Sequence, residues 1–103
     1  MSAPFVAVLK IELHFPDVSS LKGKRAELAP VKARLARLGA SVAEVAHHDL
    51  WQRATLGAAI VAGSPGRLDD HVAAVEDWLG ERFPQGARVE RAIASWDDLG
   101  GIA

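Results

Sequence analysis

His47, His48, Asp49, Trp51 and Arg53 fall within seven residues, the densest run of chemically capable side chains in this chain of 103. Adjacent imidazole and carboxylate groups can move protons or ligate a transition metal. A tryptophan beside an arginine offers a flat face and a fixed cation, which suit a nucleobase or an anion. Each option has a plainer counterpart. Neighbouring residues of an extended strand point to opposite faces, so His47 and His48 share one ion only if a turn folds them together. A His–Asp pair also needs a nucleophile, and the nearby hydroxyls are the commonplace Ser19, Ser20 and Thr55. The residues therefore nominate no catalytic group, no metal site and no cofactor. Arg53 reads most simply as the cross-strand partner of Glu44, and Trp51 as a packing or stacking group.

The elements that must position these residues follow from periodicity. Phe5, Ala7, Leu9, Ile11, Leu13 and Phe15 alternate with Val6, Val8, Lys10, Glu12 and His14, which predicts a long strand ended by Pro16-Asp17. Ser19 or Ser20 caps a helix running to about Leu38, with Leu21, Leu28, Val31, Leu35 and Leu38 facing the core and Gly39 stopping it. Pro30 predicts a kink within one helix, because the apolar stripe runs through it. Two β-leaning runs over 41–62 flank the polar centre His47-His48-Asp49. A two-residue turn at His48-Asp49 would set Glu44 opposite Arg53; a bulge would reverse part of that assignment. Ser64-Pro65 opens a second helix to about Phe83, with Asp69 and Asp70 in its first turn. Pro84-Gln85-Gly86 ends it, and Arg88 to Trp96 is the last strand.

Strand, helix, strand, strand, helix, strand is the order of a ferredoxin-like βαββαβ sandwich. It is an α+β fold whose four-stranded antiparallel sheet runs 4-1-3-2 with both helices on one face. Residues 1–96 make one domain and 97–103 a short tail. In this topology the end of the first strand, the start of the first helix and the hairpin tip share one edge. That edge gathers His14, Ser20, Lys22, Lys24, Arg25, His47, His48, Asp49, Trp51 and Arg53 as candidates for an anion or RNA. The counter-reading is that Asp17 or Asp49 satisfies the positive end of the helix internally.

Composition bounds the class. Half of the residues are apolar, a quarter are charged and the net charge is −1, so the whole chain is no bulk polyanion binder. There is no cysteine, hence no disulfide or thiolate chemistry. The first apolar run is broken by Lys10 and Glu12, too short for a membrane span and without a basic leader, which points to the cytoplasm.

His14-Phe15-Pro16, Ser20-Leu21-Lys22-Gly23-Lys24-Arg25, Val42-Ala43-Glu44-Val45 and Asp49-Leu50-Trp51-Gln52-Arg53-Ala54-Thr55-Leu56-Gly57 resemble the YlxP-like family of small bacterial proteins. The likeness runs to about Ile93 and implies a ferredoxin-like fold. It also implies a gene often placed among those for translation initiation and ribosome maturation, and so an accessory, non-enzymatic module contacting RNA or the ribosome. The resemblance supplies no catalytic residues. The rival readings are a small anionic-ligand protein using the His14/His47/Trp51 edge, and a purely structural oligomer.

The helix-free face of the sheet gives one more expectation. Antiparallel pairing sets Val6 and Val8 beside Ala59 and Val61 on one side and Ala94 and Trp96 on the other. Such an apolar patch predicts a homodimer or higher homo-oligomer, unless the tail folds back with Ile102 as a plug.

Overall fold

The computed structural model describes residues 3–84 and 86–100; Gln85 and Ile102 lie outside the described residues. The elements are β1 (Phe5–His14), α1 (Leu21–Arg37), β2 (Ser41–Ala46), β3 (Arg53–Ala62), α2 (Pro65–Arg82) and β4 (Ala87–Ser95). They form one antiparallel sheet in the order β2-β3-β1-β4. The fold is the ferredoxin-like α+β sandwich expected.

Alternation on the central strands builds the core. Ala7, Leu9, Ile11 and Leu13 of β1 and Ala54, Leu56, Ala58 and Ile60 of β3 are buried in one cluster with Leu28, Val31 and Leu35 of α1 and Leu68, Val72, Val75 and Leu79 of α2. Both helices start on a serine: the Ser20 hydroxyl accepts from Gly23 N at 2.9 Å and the Ser64 hydroxyl from Arg67 N at 3.2 Å. The cap of α1 is thus Ser20, with neither Asp17 nor Asp49 in that role. α1 runs continuously through Pro30, and Gly39 takes the left-handed conformation, φ 98°, that ends it. Asp69 and Asp70 do not lie in the first turn of α2, because Pro65 and Gly66 open that helix ahead of them.

The hairpin departs from the simple turn. Glu44 stands opposite Leu56 but Ala46 opposite Thr55, so Val45 is an extra residue, a β-bulge. One inserted residue flips the parity of everything after it. Val42 and Glu44 therefore lie on the helix side of β2, opposite Ala58 and Leu56, and the connection is six residues, 47–52. Val45 leans over Gly57, where any Cβ would stand 3.2 Å from Val45 Cγ1. Glu44 does not pair with Arg53, which stands opposite His14 of β1.

Candidate functional site

The edge at the C-terminal end of β1 is built around a buried cation. Lys24 occupies the stripe position one turn before Leu28 and is only 1% exposed. Its three N–H bonds are shared among four acceptors: Glu44 Oε2 at 3.1 Å and the carbonyl oxygens of His47 at 2.8 Å, His48 at 3.3 Å and Arg53 at 3.2 Å. A buried ammonium is tolerated only when paired and fully hydrogen-bonded. Here the bulge supplies the carboxylate, by turning Glu44 toward α1, and the loop supplies the carbonyls.

The grip shapes the loop. His47 has φ 63°, a left-handed conformation that costs a non-glycine residue about 1–2 kcal/mol, and its carbonyl takes the shortest of the four lysine bonds. The same carbonyl accepts from Leu50 N at 3.1 Å, closing a turn over 47–50. On the far side Phe15 N donates to Gln52 O at 2.8 Å, and the Gln52 amide donates to the carbonyls of Pro16 at 3.1 Å and Val18 at 3.3 Å. The loop is therefore fastened to α1 through Lys24 and to the β1–α1 connection through Gln52.

Held between these fastenings, Trp51 is 53% exposed, beside the exposed Leu50. His14, Asp49, Trp51 and Arg53 share the wall of a recess of about 370 Å³. His14 also borders a cleft of about 510 Å³, in which Phe15, Val18 and Phe83 supply apolar surface and the ion pair Arg82–Glu27, 3.2 Å, supplies charge.

The expected set of edge residues thus divides. His14, Asp49, Trp51 and Arg53 come together. Lys22 and Arg25 are exposed at the start of α1 and make no ion pair among the described residues. Lys24 is a correction: burial removes its charge from any external anion and assigns it to the loop. Ser20 spends its hydroxyl on the helix cap, and His48 directs Nε2 to Glu44 O at 3.1 Å, back toward β2. His47 is half-buried, with its backbone carbonyl in the lysine cradle. Among the described residues no three His, Asp or Glu side chains assemble as a metal ion would require. Glu44 and Gln52 are positioning residues that the sequence reading missed. Helix-like spacing of Lys24 with Leu28, Val31 and Leu35 was the available signal for the cradle.

Fold and edge together define a small ferredoxin-like α+β domain that presents a fastened loop. The chain belongs to the family described as "Protein of unknown function (DUF503)", whose model matches residues 6–92. It is 32% identical over 78 residues to the uncharacterized protein YlxP of Bacillus subtilis (strain 168), covering 75% of this chain and 80% of that protein. Among solved structures it resembles the de novo designed protein Foldit4, with a TM-score of 0.59 and 10% identity, over 88% of this chain and 96% of that one. That likeness concerns the fold alone. Among the described residues no helix is long and apolar enough to cross a membrane.

Proposed function

We propose that this chain is a non-enzymatic accessory module of the cytoplasm that contacts RNA, free or in the ribosome, through the Trp51 edge. One observation carries the reading: an exposed indole is held on a loop whose carbonyls are gathered by a buried lysine. An exposed ring on a pinned loop loses little conformational freedom when an unpaired base stacks on it. Arg53, at the same recess, is placed for the adjoining phosphate, and Lys22 and Arg25 extend the positive surface along α1.

The test is binding of a fluorescent single-stranded RNA across a salt series. Stacking on one base is worth about 1–3 kcal/mol, so Trp51→Ala should weaken binding about five- to 150-fold. Reversing the charge at Lys22 and Arg25 should flatten the salt dependence, since fewer counterions are released. Lys24 is unsuitable for this purpose because its loss dismantles the loop. Equal affinity of Trp51→Ala and the unaltered chain would refute the reading. A second reading, a small anionic ligand, draws on His14 and the cleft of about 510 Å³; it gains if inorganic phosphate binds, RNA does not and Trp51→Ala changes nothing.

A further inference from the structure

The face of the sheet turned away from the helices has an apolar half and a charged half. In the apolar half Val6 stands between Val61 and Ala94, and Val8 between Ala59 and Ala92. The position beside Val8 is thus held by Ala92; Trp96 lies just past the end of β4, exposed at the margin. Val8 is 52% and Val61 65% exposed, on strands whose other faces are closed by the core. In the charged half Lys10 stands opposite Glu90 and Glu12 opposite Arg88, so each carboxylate has a cation on the neighbouring strand.

We propose that this face pairs with the same face of a second copy of the chain. Three features favour a copy over other occupants. The charged half is close to balanced, Lys10, Arg53 and Arg88 against Glu12 and Glu90, and so offers a polyanion little net field. The size fits: strands of 6, 10, 10 and 9 residues about 4.8 Å apart give a face of about 550 Å², and two such faces, about 1,100 Å², clear the roughly 1,000 Å² that a specific interface needs. The tail does not cover it as far as it is described. Ser95 and Asp98 bond reciprocally, Ser95 N to Asp98 Oδ2 at 2.8 Å and Asp98 N to Ser95 Oγ at 3.0 Å, so residues 95–98 close on themselves and leave Val8 and Val61 exposed.

Symmetry selects the arrangement. A two-fold axis parallel to the strands brings valines to valines and charged pairs to charged pairs, whereas an axis across the strands would set the valines on Lys10 and Glu90. Aligned sheets of this kind cross at about −30°. The Trp51 loop lies past the charged end of the sheet, away from the valines, so Trp51 and the valines can be altered independently, while Arg53 stands on the charged half of the paired face.

Sedimentation over a concentration series tests the pairing. The unaltered chain should sediment as a dimer. Val8→Lys and Val61→Lys, at exposed positions, should each halve the sedimenting mass while circular dichroism stays as it was and the urea midpoint ceases to depend on protein concentration. Deletion of 97–103 should leave the dimer intact, and Trp51→Ala should dimerise normally. A monomer at high concentration, or a dimer that persists in both lysine variants, overturns the proposal. So does dimerisation that appears only after 97–103 is removed, which would make the tail the occupant of the face.

Discussion

The two ends of the buried stripe of α1 are held by different physics. At one end Leu35 is surrounded by apolar side chains of the common core. At the other, one turn before Leu28, Lys24 is equally buried but surrounded by a carboxylate and three carbonyl oxygens. Burial alone does not tell the two apart. Leu35 lies in a non-directional contact whose strength follows the area removed from water. Lys24 makes a directional contact that pins the atoms it touches, and those atoms are the backbone of the loop carrying Trp51.

The largest effect should come from breaking the polar end. Lys24→Met keeps the length and apolar stem but removes the ammonium from Glu44 and from the carbonyls of His47, His48 and Arg53, of which His47 keeps the Leu50 amide. Removing one partner of a buried pair costs about 3–5 kcal/mol. The urea midpoint should fall accordingly, and the amides of 47–52 should exchange faster than the rest of the sheet. Adding Glu44→Leu should recover part of the loss, because the uncompensated carboxylate disappears. A Lys24→Met midpoint within about 0.5 kcal/mol of the unaltered chain would show that the loop holds itself.

The apolar end should respond next. Leu35→Ala should cost about 3 kcal/mol, within the usual range for buried leucine truncation. The comparison predicts a qualitative split as well: Leu35→Ala should leave the indole resonance of Trp51 where it was, while Lys24→Met should move it. A shift of that resonance in Leu35→Ala would mean that the two ends are coupled through the helix, and the contrast would fail.

That split also explains what could be read beforehand. Alternation on β1, the serine caps, Pro65 and Gly39 are local signals, and the order of elements with its antiparallel sheet follows from them. The bulge at Val45 is not local in this sense. Its effect is one of parity, so a single unmarked residue turned Glu44 to the helix side and replaced the Glu44–Arg53 pairing with the Lys24–Glu44 pair. Lys24 was counted with Lys22 and Arg25 as surface charge because a buried ammonium is stable only where the tertiary fold delivers acceptors. Three of its four acceptors are carbonyls, which every residue possesses and no sequence pattern marks. His14, Trp51 and Arg53 came together as expected because strand pairing alone brings His14 opposite Arg53.

The smallest effect concerns a second charged group that holds backbone, this time in water. Asp98 lies fully exposed, and its carboxyl is held below the ordinary aspartate range, first by the Ser95 amide and then by the Ser95 hydroxyl. A lowered value in the folded turn means that the contact stabilises the turn above the ordinary aspartate titration. That stabilisation is lost as the pH falls through the lowered value. Water screens the interaction, so the urea midpoint should be insensitive to Asp98→Asn, in contrast to Lys24→Met. The readout is local: the Ser95 amide resonance should titrate with a midpoint below the ordinary aspartate value and should cease to titrate in Asp98→Asn. A Ser95 titration centred on the ordinary value would mean that the turn does not persist in water, and that a charge gripping backbone in this chain needs burial to hold.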